Sequence, residues 1–307
     1  MSSLLVPGIE RSDGFRFLNL SDVPWRQNLE RAKGQQASVA IPACFANDPF
    51  AELASLQGKV FLHEVTQGEK LQHHFECTDY LQKNHDSEIE VRVDWIKVAP
   101  HARSEWIFYT SNSVRPVFHR IYVVLEKDAE IKLTLIQSGN LKSQIRAHVE
   151  HQGSGSKSKV HGLTLGKNQE RQDLWIDGVH VVPRTEGSVT AWCAVKDQAH
   201  SIFNGTMTIT KDAPFTEAHQ KNKNLILSKS ASVDAFPKLF IAHDEVKASH
   251  GSSVSTLEPD QLIYLQSRGI DRAAAEVMLT QGFIHQAIDW IEDESTRTRL
   301  EGLGAWA

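Results

Sequence analysis

The sequence predicts a mainly β chain that closes in a small helical subdomain. Three observations lead there: short runs of alternating polarity, turn-rich stretches between them, and a change to helical spacing after Pro259. Ile89, Val91, Val93 and Trp95 alternate with Glu88, Glu90, Arg92 and Asp94, a period of two. Ile131, Leu133 and Leu135 repeat the pattern, and Met207 and Ile209 do so between Thr206, Thr208 and Thr210. Gly139-Asn140, Gly153-Ser154-Gly155-Ser156, Trp175-Ile176-Asp177-Gly178 and Asn204-Gly205 read as the intervening turns. No helical period emerges from about Lys59 to about Val254.

Several turns share a polar-x-Ala/Ser-x-apolar form. They include Lys127 to Ile131, Asp197 to Ile202, Lys211-Asp212-Ala213 and Ser230 to Val233. Ala199, Ala213 and Ala231 stand 14 and 18 positions apart. Such near-repeats suit stacked coils, in which each rung buries its inner face on the next and a small residue fits the corner. A two-sheet sandwich fits the spacing almost as well.

At the C-terminal end, Pro259 suits a first helical position and Gly269 a stop, framing a helix through Leu262 to Arg268. Asp271 can cap a second helix through Ala273, Ala274 and Ala275. Ile284, Ala287, Ile288 and Ile291 form one apolar stripe, to be buried on the β-body or on a partner. The start is mixed: Gly14 to Leu20 reads as extended, and Ala51 to Leu56 as a short helix starting near Asn47 or Asp48. The resulting division is 1–58, a mixed segment; 59–255, the β core; and 256–307, the helical subdomain.

Composition narrows the function. A net charge of −5 and a pI near 6.3 give no basic field for nucleic acid. No run approaches the apolar length that spans a bilayer, and Leu4 to Val6 is too short for a signal-peptide core. Three scattered cysteines, Cys44, Cys77 and Cys193, fit a reducing, cytoplasmic setting better than a disulfide framework.

Catalytic templates are missing. There is no nucleophile elbow, no phosphate loop and no dinucleotide fingerprint. Gly153 to Lys157 superficially resembles a phosphate loop but lacks the following helix that would bind the anion. Of 15 histidines, His148 and His151 lie at odd separation and would point to opposite faces of a strand, as would His73 and His74. Asp244-Glu245 and Asp173 with Asp177 are the carboxylates a β-helical carbohydrate-active enzyme would use; solvated turn charges are the plainer reading.

Three stretches carry a resemblance. Phe203 to Ser228 reads F-N-G-T-M-T-I-T-K-D-A-P-F-T-E-A-H-Q-K-N-K-N-L-I-L-S; Pro237 to Gly251 reads P-K-L-F-I-A-H-D-E-V-K-A-S-H-G; Gln261 to Ile270 reads Q-L-I-Y-L-Q-S-R-G-I. In order and spacing they resemble the C-terminal core of the SufB/SufD family of iron–sulfur cluster assembly scaffolds. Gly162 to Gly166 is similar to the same β-helix. The resemblance implies a right-handed parallel β-helix followed by helices, with no catalytic residues. It implies pairing of SufB with SufD through terminal strands, and a copy of the ATPase SufC on the C-terminal helices. Tyr264, Arg268, Ile284, Ile288 and Ile291 are then the candidate docking residues.

Ala248-Ser249-His250-Gly251 is similar to the SufD form, with the family cysteine replaced by Ala248. His250 is therefore the candidate ligand for a transient cluster, acting with a partner's cysteine; its alternative role is a hydrogen bond at the junction. Gln220, Asn222 and Asn224 at alternate positions predict a structural row of amides along the stack, with Leu225 and Leu227 on the other face. Typical SufD chains carry a helical domain ahead of the β-helix, for which this chain has little room. A stand-alone homodimeric scaffold is the alternative reading.

Overall fold

A computed structural model describes residues 43–301, except 46–47, 58, 68, 77–88, 112 and 114, and the side chains of 49, 70–76, 295 and 299 are also left out of account. Gly14 to Leu20 and Cys77 lie outside the described residues.

Among the described residues, fourteen strands alternate between two parallel sheets. The first sheet holds β1 (Val60–Val65), β3 (Glu90–Val98), β5 (Val117–Leu125), β7 (Lys142–His151), β9 (Arg171–His180), β11 (His200–Ile209) and β13 (Ser232–Ile241), in that order. The second holds β2 (Lys70–Glu76), β4 (Arg103–Ser111), β6 (Glu130–Ser138), β8 (Lys157–Gly166), β10 (Glu186–Val195), β12 (Glu217–Ile226) and β14 (Lys247–Ser255). Each strand pairs in parallel with the one a full coil later, at offsets from 26 to 33 residues. This is a β-solenoid of stacked coils, and the sandwich alternative falls.

The corners explain the alanine spacing. Ala129, Ala199 and Ala213 are fully buried at turns, their N–H groups bonded to the carbonyls of Glu126, Lys196 and Thr210. Ala231 lies 32 residues after Ala199, the offset that pairs His200 with Ser232. The intervals of 14 and 18 are therefore the two halves of one coil.

A second regularity marks the same corners. His101, Asp128, Gly155, Arg184 and Phe215 all have φ between 54° and 77°, one per coil at the corner that leads into the second sheet. Gly139, Asn168 and Asp197 do the same at the opposite corner. Backbone bonds stitch the first column together, from His101 N to Lys127 O, Asp128 N to Ser154 O, Gly155 N to Arg184 O and Phe215 N to Glu245 O. Left-handed backbone strains most L-residues; Asp and Asn tolerate it best, and Arg184 and Phe215 hold it within the stack.

Two expected turns are strand interior instead. Trp175 to Gly178 lies within β9 and Asn204-Gly205 within β11. Their glycines serve close approach: a β-carbon at Gly178 would meet Met207 Sδ at 2.7 Å, and one at Gly205 would meet Gln220 Oε1 at 2.5 Å. Between the sheets, Ile131, Leu133, Leu135, Met207 and Ile209 join one continuous core. Burial on both faces of parallel strands accounts for the near-continuous apolar content of β5.

Polar side chains also enter the interior. In β3, Val91 and Val93 turn outward to pack with Phe50 and Leu53, which leaves Glu90, Arg92 and Asp94 facing in. Asp94 accepts from His63 at 2.8 Å and His119 at 2.7 Å, and from Arg92. Burial alone would raise the Asp94 pKa; these donors hold its carboxyl well below the usual range. His151 stacks on His180 with centroids 4.3 Å apart, each bonded to Ser or Thr hydroxyls.

Among the described residues, four α-helices flank the coils. Helix α1 (Pro49–Leu56) starts at Asp48, whose Oδ1 accepts from Phe50 N and Ala51 N. Its Oδ2 takes Arg120 at 2.6 Å, Arg120 donates to Gln144 at 2.6 Å, and Gln144 donates to Asp173 at 2.8 Å. Helices α2 (Pro259–Ser267), α3 (Arg272–Ile288) and α4 (Glu294–Glu301) follow the last strand. Gly269 takes φ +85° after α2, and Asp271 caps α3 through Ala274 N at 2.9 Å.

Candidate functional site

Strands β13 and β14 are the last of their sheets, so the final coil presents two parallel edges side by side. An edge strand offers unpaired N–H and C=O groups that another chain can complete. Nearly all of β14 is exposed, and Phe240, Ile241 and Val254 add apolar surface there. Parallel strands buried on both faces rarely end bare, and here the last coil does.

His250 sits in the middle of that edge. Its Cα partner is Gln220 on β12, and its side chain shares the inward face with two neighbours of known placement. Ala248 packs on the interior core, and Ser252 Oγ donates to Asn222 Oδ1 at 3.1 Å. His250 is nonetheless exposed, because no further coil covers it. Across the interior, Gly205 is in register with Pro237 on β13.

Gln220, Asn222 and Asn224 are all buried on that inward face, while Leu225 packs on the opposite side with α3. Their bonds run mainly to backbone carbonyls. Asn222 donates to Ala191 O one coil back at 3.4 Å, Asn224 to Ser253 O one coil ahead at 2.9 Å, and Gln220 across to Gly205 O at 3.4 Å. Only Asn224 to Asn222 joins two amides, within one strand. The amides thus tie coil to coil by a route different from a stacked amide ladder.

The outer face of the second sheet carries a charge row set by register: Arg103, Glu130, Lys157, Glu186, Glu217, Lys247. Arg103 pairs with Glu130, Lys157 with Glu186 and Lys247 with Glu217. At the edge, the hydrogen bond between them raises the Lys247 pKa and lowers that of Glu217. Such exposed pairs contribute little stability but mark the edge as charged.

The helical subdomain divides the expected docking residues. Ile284, Ile288 and Ile291 are each 0% exposed, packed on Leu163, Leu165, Trp192 and Ala194 of the second sheet. That stripe is consumed within the chain and does not face a partner: the sheet's outer apolar row needed a cover, and the helices supply it. Tyr264 is 57% exposed on α2, with the Arg268 guanidinium 5.3 Å from its ring centroid. Ile263 beside it is exposed as well.

Other candidates do not converge. His151 faces inward and His148 outward, 3.9 Å from Glu150. Asp173 and Asp177 lie on β9, Asp173 buried and Asp177 paired with Arg146, whereas Asp244 and Glu245 are exposed at the β13–β14 corner. Among the described residues no group of three or more His, Cys, Asp or Glu is placed to hold a metal. Burial pushes the thiols of Cys44 and Cys193 up to about 12, so neither offers a thiolate. His250 therefore stands on the edge as a single imidazole, outside any such group among the described residues. Among the described residues no helix is long and apolar enough to cross a membrane.

Comparison with known proteins agrees with this geometry. The family model described as "SUF system FeS cluster assembly, SufBD core domain" matches residues 54–283. The chain is 30% identical to the iron–sulfur cluster assembly protein SufD of Bacillus subtilis over 192 residues, 62% of this chain and 44% of that one. It is 34% identical to SufD of Escherichia coli over 106 residues, 34% and 25% of the two chains. A SufBD family protein of Synechocystis is 29% identical over 174 residues, 57% and 38%. The matched segment spans less than half the length of each of these relatives. The chain belongs to the SufB/SufD family of iron–sulfur cluster assembly proteins and is SufD-like.

Proposed function

We propose that the chain is a non-catalytic scaffold subunit that pairs through β13 and β14 with a SufB-type subunit and holds a forming cluster at their junction. The observation that carries this reading is the bare final coil, with His250 in the centre of its edge. The cluster is cargo. His250 supplies one imidazole, and the partner supplies thiolate in place of the side chain missing at Ala248. Tyr264, Arg268 and Ile263 form the exposed face of α2 that receives a SufC-type ATPase. The setting is cytoplasmic, where thiolates stay reduced.

Co-expression with SufB and SufC homologues followed by co-purification tests it. Association with both is expected, with loss of SufC alone on Tyr264→Ala. A chain that associates with neither removes the reading. The same bare edges also suit a second copy, since two identical ends can complete each other. Mass determination with and without SufB separates the two: a dimer that persists in the presence of SufB favours self-pairing.

A further inference from the structure

We propose that Gln220 is the residue that orients His250, accepting a hydrogen bond from one ring nitrogen so that the other faces out across the open edge. The two are Cα partners on adjacent strands with side chains on the same face, about 4.8 Å apart by strand spacing. Gln220 is 3% exposed, and its Nε2 donates to Gly205 O at 3.4 Å. Its Oε1 is buried and has no hydrogen-bond partner. The absence of a β-carbon at Gly205 is what lets the amide lie there, 2.5 Å from where that carbon would be.

A buried amide oxygen without a donor is uncommon and calls for one. The ring of His250, on the adjacent strand and the same face, is a mobile candidate donor, its strand neighbours being held, Ala248 on the core and Ser252 on Asn222. The proposed contact requires rotation about the His250 side-chain bonds to bring a ring N–H to Oε1. Donation from one nitrogen fixes the tautomer and leaves the lone pair of the other directed away from the coil. Gln220 is thus a positioning residue. Its importance for cluster handling rests on the reading of His250 as a ligand; its effect on the ring does not.

The test uses the full chain labelled with ¹⁵N-histidine, above the imidazole titration range, with the His250 signal assigned by its loss in His250→Gln. A single neutral tautomer is expected in the unaltered protein. Gln220→Met, of similar volume but without the acceptor, is expected to give a mixture of both tautomers. Gln220→Glu, which keeps an acceptor oxygen, is expected to restore one. A mixture in the unaltered protein, or an unchanged single tautomer in Gln220→Met, overturns the inference. Should Gln220→Met not fold, the unaltered protein and Gln220→Glu still decide. Partner and cluster binding are not read out, so their failure in the co-purification experiment is a separate result.

Discussion

A β-carbon on Gly205 would lie 2.5 Å from Oε1 of Gln220, so the amide crosses the interior only because residue 205 is glycine. Gly205→Ala is expected to lower stability by about 1–3 kcal/mol through overpacking, measured by chemical denaturation. Gly251, whose added β-carbon would meet nothing within 4 Å, is the control. Gly251→Ala is expected within about 0.5 kcal/mol of the unaltered protein. Equal costs at both positions would contradict the packing account.

Ile288 and Tyr264 should behave oppositely. Ile288→Ala removes a fully buried side chain and is expected to cost about 2–5 kcal/mol, with faster amide exchange in α3. Tyr264→Ala on the exposed face should change stability by less than about 0.5 kcal/mol while weakening capture of the proposed ATPase partner. Destabilisation of the isolated chain by Tyr264→Ala to the extent seen with Ile288→Ala would reverse the assignment of the two faces.

Asp94 is a carboxylate shared by Arg92, His63 and His119. Asp94→Ala leaves a buried guanidinium without that charge and is expected to cost about 3–5 kcal/mol. The measurement is the urea midpoint. A cost below about 1 kcal/mol would mean that the buried Arg92 does not depend on Asp94.

Acid sensitivity follows from buried histidines. Burial lowers His180 to about 4, and burial followed by the Lys159 and Lys132 charges does the same to His161. Each folded value lies below the ordinary 6.5, so the unfolded chain binds more protons between those limits and stability falls as pH drops through them. Asp173, pushed by burial to about 7, has the opposite sign over about 4 to 7. A difference measurement isolates one group: His180→Gln is expected to flatten the decline between pH 6.5 and 4 by up to about 1.4 kcal/mol per pH unit. An unchanged slope in denaturation series across that range would contradict it.

The sequence showed which segments are extended better than it showed which way they face. The alternation of Ile89 to Trp95 was plain, yet Arg92 and Asp94 are the inward set there, because α1 covers Val91 and Val93 from outside. Period two identifies a face; it does not say which face is dry. Gly178 and Gly205 read as turn formers because glycine's two uses, φ freedom and close approach, look alike in a string of letters. Ala199, Ala213 and Ala231 were legible as corners, whereas the positive-φ columns were not, since only Gly139 and Gly155 among them are glycine. His250 could be singled out from its motif. The link from Asp48 through Arg120 and Gln144 to Asp173 could not, since its members meet only once coil register is known.

Register through the coils also governs how such a chain can change in length. Each strand hydrogen-bonds only to its counterparts one coil before and after, so a complete coil can be lost or gained without disturbing the others. Excising the 29 residues that separate Lys142 from Arg171 would reconnect like with like. Removing a single residue from within a strand would turn its remaining side chains over, putting lysines where leucines belong. Within the coils, tolerated changes of length are thus of two kinds, whole storeys or alterations at the bends.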